Sequence, residues 1–214
     1  MKLQRRALLA LAGAAALVAA SAARAGAYED FFAALRGNDA RSVRALLERG
    51  FDPNTPDESG QVALYLALRD DAPAVAELLL AQPGLKVDAA NAVGETPLMI
   101  AALRGQTAWV ERLLARGAAL EREGWTPLHY AASGPAPRVV ALLLDRGAAI
   151  EARSPNGTTP LMMAAGYGAI DSADLLLGRG ADPKARNALG LTAADFARRA
   201  GRDALGARLQ SGVK

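Results

Sequence analysis

Cysteine is absent from the 214-residue chain, and histidine occurs once, as His129. Without cysteine there are no disulfide staples, no thiolate ligands or nucleophiles, and no lipidated cysteine behind a leader. A lone histidine cannot supply the three or four converging ligands of a metal site. Motifs of common hydrolases and nucleotide binders are missing too: no Gly-x-Ser-x-Gly, His-Glu-x-x-His or Gly-x-x-x-x-Gly-Lys occurs. No catalytic, cofactor-binding or metal-ligating residue is assigned, and a non-enzymatic protein is expected. Beyond residue 20 no apolar run approaches the ~20 residues that span a bilayer, so stable membrane insertion of the main body is not expected.

Basic character is lacking as well, once the chain is divided. The formal charge is +3, but Lys2, Arg5, Arg6 and Arg24 all fall in the first 25 residues, which hold no acid. Without those four, 21 Lys and Arg face 22 Asp and Glu, a balance near −1. Charge therefore gives no reason to expect a nucleic acid or an anionic membrane as partner.

The first 25 residues have the layout of a secretory signal peptide. A basic start is followed by an uncharged Ala/Leu/Gly/Val stretch from Ala7 to Ala20, and Ala23-Arg24-Ala25 offers a small-x-small cleavage site. Cleavage is expected between Ala25 and Gly26, leaving 26–214 as the working domain in the periplasm or outside the cell. The general secretory route is the expected one; Gln4-Arg5-Arg6-Ala7-Leu8-Leu9 also fits the loose twin-arginine pattern.

What the chain has in abundance is repetition. Thr-Pro-Leu stands at Thr96, Thr126 and Thr159, each time two residues after a glycine (Gly94, Gly124, Gly157) and shortly before paired alanines (Ala101-Ala102, Ala131-Ala132, Ala164-Ala165). Thr is a helix N-cap, and Pro suits the first helical position because it has no N–H to leave unpaired. A second set of glycines, Gly50, Gly84, Gly117, Gly147 and Gly180, follows apolar runs that read Val43/Leu46/Leu47, Val75/Leu78/Leu79, Val110/Leu113/Leu114 and Val139/Leu142/Leu143. That spacing is one face of a helix, and Gly directly after it is a helix stop. A period near 33 residues built from two short helices cannot bury its apolar faces except by stacking on copies of itself.

These features resemble the ankyrin repeat; the best copy is Gly124-Trp125-Thr126-Pro127-Leu128-His129-Tyr130-Ala131-Ala132. The resemblance implies an all-α solenoid of about six stacked helix-turn-helix units with extended hairpin loops, near 28–59, 60–93, 94–123, 124–156, 157–189 and 190–214. The end units serve as caps, with Arg198, Arg199, Arg202 and Arg208 turning the last one toward water. Loops between the two glycine sets run ten residues, except from Gly117 to Gly124, where three are missing. That deletion is expected to break the row of loop tips at Glu121-Arg122-Glu123, and the extra residue of the second repeat is expected near Gln82-Pro83.

The family resemblance further implies a monomeric module that binds a protein partner on a pre-ordered concave surface, without cofactor. The alternatives are a tethered component of the cell envelope and, further off, an enzyme on a repeat scaffold. Trp125, at the Gly-x-Thr-Pro position, is the leading contact candidate. Glu95 and Thr158 share its register, Arg104 and Tyr167 follow the alanine pairs, and Arg153 lies on the next loop. His129 is expected to be structural, its ring bonding Thr126 and the neighbouring loop. Trp109, Met99, Met162 and Met163 are expected in the core.

Overall fold

The computed structural model describes residues 25–211; residues 1–24, all of the expected leader but Ala25, and the last three residues lie outside that range. Twelve helices and no strand occupy the described residues. A helix over 25–36 (α1) is followed by α2 (Ala40–Glu48), α3 (Ala63–Arg69), α4 (Pro73–Leu80), α5 (Pro97–Leu103) and α6 (Thr107–Ala115). Then come α7 (Pro127–Ser133), α8 (Pro137–Asp145), α9 (Pro160–Gly166), α10 (Ile170–Gly178), α11 (Ala193–Arg199) and α12 (Asp203–Ser211). They pair in sequence order into six antiparallel hairpins. The all-α repeat solenoid expected from the sequence is the observed fold.

The first helices α3, α5, α7, α9 and α11 form an inner row that packs more closely than the outer row of second helices. Alanine allows this approach: Ala101, Ala131, Ala164 and Ala165 are fully buried between inner helices. A row tight on one side and splayed on the other curves toward its tight side, which is the origin of the concave face.

The outer helices bury one column across the repeats, four and seven residues after each helix N-cap: Val43/Leu46, Ala76/Leu79, Val110/Leu113, Val140/Leu143 and Ala173/Leu176. In the second and fourth repeats this is one residue later than the Val75/Leu78 and Val139/Leu142 registers expected from sequence; Val139 and Val140 are both fully buried while Leu142 is half-exposed. The same shift corrects Trp109. It shares a column with Val139, beside the core column, and is only half-buried, with the Arg112 guanidinium 4.7 Å above its ring. Met99 and Met162 are buried as expected, but Met163 is half-exposed on the inner row.

Gly50, Gly117, Gly147 and Gly180 take φ between +90° and +95° directly after the helix cap, the left-handed stop that favours glycine. Gly84 is different and is not in that conformation. The cap of α4 is Ala81, and Gln82-Pro83, where the one extra residue of this repeat falls, separates it from Gly84. Arg116 of the next repeat covers the helix end instead, donating to the Leu80 and Gln82 carbonyls at 3.2 and 2.8 Å.

Two ladders tie the stack together along its outside. One acceptor per loop reaches a backbone N–H of the following loop: Asn54 to Lys86, Asp88 to Ala119, Glu121 to Ala149 and Glu151 to Asp182, at 2.7–3.0 Å. The matching position in the last loop is Lys184, which is no such acceptor. On the outer helices Glu77–Arg112, Asp145–Arg179 and Asp174–Arg208 pair across neighbouring repeats. All are substantially exposed, so each contributes at most about 1 kcal/mol.

Candidate functional site

Each loop that leads to an inner helix is a small hydrogen-bonded hairpin. In four of them the residue three before the frame glycine donates its N–H to the carbonyl just after that glycine: Asp57 to Gln61, Asn91 to Glu95, Ser154 to Thr158 and Asn187 to Leu191. The side chains of Asp57, Asn91 and Asn187 accept the tip amides through Oδ1, which rigidifies the hairpin. The third loop makes no such pair. Its deletion merges two positions that other loops keep apart, and Glu121 retains the inter-repeat bond to Ala149 while the hairpin is lost. The break in the row of tips anticipated from loop lengths is therefore present.

Four of the inner helices start with a shared device. The Thr at the cap has its backbone N–H accepted by the side chain three residues on: Met99 and Met162 through sulfur at 3.4 Å, His129 through Nδ1 at 3.2 Å and Asp195 at 2.8 Å. One geometric task is met by three chemistries, which explains why this column shows no pattern of metal ligands. Among the described residues no group of three or more His, Cys, Asp or Glu is placed to hold a metal ion, and no helix is long and apolar enough to cross a membrane.

His129 is fully buried. Its Nε2 lies 2.9 Å from the Thr158 carbonyl, an acceptor, so Nε2 carries the proton and Nδ1 accepts from the Thr126 N–H and hydroxyl. Burial pushes the imidazole below its ordinary range, against the opposite pull of the Thr158 and Ala152 carbonyls. The unfolded chain thus binds a proton that the folded chain refuses, and stability falls as pH drops through about 6.5. His129→Ala is expected to cost on the order of 2 kcal/mol in denaturant melts, by stranding buried partners, and to remove that acid-side decline. A variant with wild-type stability would return His129 to the list of functional residues.

The six contact candidates separate into different environments. Glu95 is enclosed: Tyr65 and Asn91 donate to its Oε2 at 2.7 and 2.9 Å, and Tyr130 donates to Oε1 at 2.9 Å. Burial works to raise its pKa, but these hydrogen bonds together outweigh it and hold the carboxyl below its usual range. Burial, then the bond to Glu95, pushes both tyrosine hydroxyls well up. This cluster joins three consecutive repeats and satisfies the concave face there from within. Sequence reading missed Tyr65 and Tyr130. Tyr65 follows Val62 rather than a capping Thr, so its side chain is free to reach the next loop.

Thr158 is only 1% exposed and does not present its side chain, so it leaves the contact set. Arg153 is exposed, but its guanidinium donates to the Gly157 and Arg186 carbonyls at 3.1 and 2.9 Å, a loop clamp. Arg104 caps α5, is exposed, and forms no ion pair among the described residues. Trp125 and Tyr167 come together. They line one groove of about 440 Å³ over the last three repeats, with Met163, Leu189, Leu191 and Phe196 as its apolar walls. Trp125 is half-buried, edge-on to His129 at 5.2 Å between ring centres, whereas Tyr167 is 65% and Leu189 75% exposed.

The family model for ankyrin repeats matches residues 83–154 and 110–187, two overlapping stretches of this stack. Human neurogenic locus notch homolog protein 4 is 43% identical over 74 residues, which is 35% of this chain and 4% of that protein. Neurogenic locus notch homolog protein 1 of Xenopus tropicalis is 33% identical over 112 residues, 51% of this chain and 4% of its own length. The Caenorhabditis elegans homolog of transient receptor potential cation channel subfamily A member 1 is 34% identical over 126 residues, 56% of this chain and 10% of its own. The chain thus spans a tenth or less of these curated relatives. It carries ankyrin repeats, and the class this defines is a protein–protein interaction module.

Proposed function

We propose that this is an exported, non-catalytic binding protein that holds a protein partner on the concave side of its last three repeats. The observation that carries the reading is the contrast between the two halves of that face. Both oxygens of the Glu95 carboxylate find donors within the chain, while around Trp125 and Tyr167 an apolar groove stands open to solvent. Exposed apolar clefts of this kind mark interaction sites, and Trp, Tyr and Arg lead among binding hot spots. A stack pre-ordered by loop ladders and rigid hairpins loses little entropy on docking. The partner meets Trp125 and Tyr167, with Arg104 of the preceding repeat at the rim, and the protein acts as a monomer in the periplasm or outside the cell.

Affinity capture from a periplasmic extract with the 26–214 domain tests this. A protein retained by wild type and lost with a Tyr167→Ala and Leu189→Ser double variant of unchanged melting point is the expected outcome. Equal retention by both proteins would move the binding face elsewhere.

Export has its own check. The folded protein is expected to begin at Gly26, because Ala23 and Ala25 occupy the −3 and −1 positions of a leader cleavage site. N-terminal sequencing reads this directly, and a folded protein that retains Met1 would overturn it.

A further inference from the structure

Resting on the reading of this groove as a protein-binding site, we infer that its occupant is a peptide segment bearing a carboxylate beside aromatic or aliphatic side chains, with Asn187 and Arg199 as the carboxylate's receptors. The inference comes from comparing two equivalent places within the chain. In the loop leading to the third repeat, Asn91 Oδ1 accepts the Val93 and Glu95 amides at 3.1 and 2.8 Å, while its Nδ2 donates to the Glu95 carboxylate at 2.9 Å and to Gln61 at 3.0 Å. In the loop leading to the last repeat, Asn187 repeats the first half of this arrangement: its Oδ1 accepts the Leu189 and Leu191 amides, both at 3.0 Å. Two N–H donors facing one side-chain atom require that atom to be oxygen, which fixes the amide's orientation. Nδ2 therefore points the other way.

There the second half is missing. The residue matching Glu95 is Leu191, and the residue matching Gln61 is Thr158, so no carboxylate reaches this amide. Asn187 is only 7% exposed, borders the groove, and its Nδ2 has no acceptor among the described residues. Nδ2 is not among the buried unpartnered polar atoms, so it faces solvent at the groove, where an incoming acceptor can reach a donor already held in place by the Oδ1 bonds. Arg199 lines the same groove, is exposed, and forms no ion pair among the described residues. The groove thus lacks the negative charge that its counterpart carries internally, and it offers a cation and an amide donor among its lining residues. Trp125, Tyr167 and Phe196 form its apolar walls, which fixes the character of the flanking side chains.

The test uses three pools of fluorescent octapeptides that share Leu, Phe or Tyr at flanking positions and differ only in a central Glu, Gln or Lys. Binding is read by anisotropy against wild type, Asn187→Asp and Arg199→Glu. Aspartate keeps the Oδ1 that organises the hairpin, as Asp57 does in the second repeat, and removes only the Nδ2 donor. The Glu pool is expected to bind wild type at least tenfold tighter than the other two. Each variant should lose that preference at unchanged melting temperature, and Arg199→Glu should shift it toward the Lys pool. Should aspartate at 187 loosen the loop, Arg199→Glu on its exposed side chain still decides. A Glu pool no tighter than the Gln pool, or a preference kept in both variants, overturns the inference. If the Gln or Lys pool instead binds in a manner that Trp125→Ala abolishes, the carboxylate assignment falls while the protein-binding reading stands. If no pool binds and partner capture is also indifferent to the groove variants, both fall.

Discussion

Gly168→Ala is expected to lower the melting temperature by on the order of 10 °C, the largest effect of any single methyl group in this molecule. Gly168 lies in the turn between α9 and α10, and its backbone presses on the end of α7 in the preceding repeat. A Cβ placed there falls inside the van der Waals envelope of the Ala132 carbonyl, a backbone atom that cannot swing aside. Gly134 occupies the corresponding turn one repeat earlier, where a Cβ would lie 2.6 Å from the Leu103 carbonyl. Its φ of −83° is ordinary for any residue, so the penalty there is purely one of contact between repeats. Overpacking of this kind costs about 1–3 kcal/mol and here acts on a repeat interface, so unfolding should begin between the fourth and fifth repeats. Gly178→Ala is the control. That glycine sits exposed on α10 with nothing near its missing Cβ, so alanine should be neutral or stabilise by up to about 1 kcal/mol. Thermal melts of the three proteins check the argument, and a wild-type midpoint for Gly168→Ala would refute the close contact.

Trp125→Ala is expected to weaken partner binding at least tenfold, about 1.4 kcal/mol or more, while shifting the melting midpoint by only a few degrees. The indole is half-buried, and its contact with the chain is the edge-on packing against His129 together with the groove wall. Its loss therefore removes little of the core. The neighbouring third loop lacks a hairpin tip, so no loop projects beside the ring to compensate. Titration calorimetry with the captured partner, alongside a melt, separates the outcomes. Unchanged affinity, or a loss explained by unfolding, would remove Trp125 as the anchor.

The comparison with Tyr65→Phe sharpens the contrast between the two halves of the concave face. That change strips one hydrogen bond from Glu95 and leaves Tyr130 and Asn91 in place. It should cost on the order of 1 kcal/mol of stability in denaturant melts and leave partner affinity unchanged. A loss of affinity at constant stability would extend the binding surface to the Glu95 cluster.

Much of this architecture is written locally. Thr-Pro marks a helix start because a cap hydroxyl and a missing N–H act within a few residues, and Gly50, Gly117, Gly147 and Gly180 stop helices because φ > 0 is a property of one residue. The shortened third loop could be read by counting, and His129 as a structural group followed from its place in the repeated frame. Other facts depend on what the next repeat supplies, some 30 residues away. Leu142 and Val140 both fit a helical stripe, and only packing against the adjacent helix decided that Val140 belongs to the core column. Gly84 looks like the other stops, yet α4 ends at Ala81, Gln82-Pro83 stand between, and Arg116 from the following repeat closes the helix end. Glu95, Trp125 and Thr158 share one position in the frame and have three fates: sealed by two tyrosines, half-exposed over a groove, and buried. Spacing along a chain determines which face of a helix a side chain occupies. Stacking alone determines what stands opposite that face, because the neighbour's reach and polarity are set by a different part of the sequence.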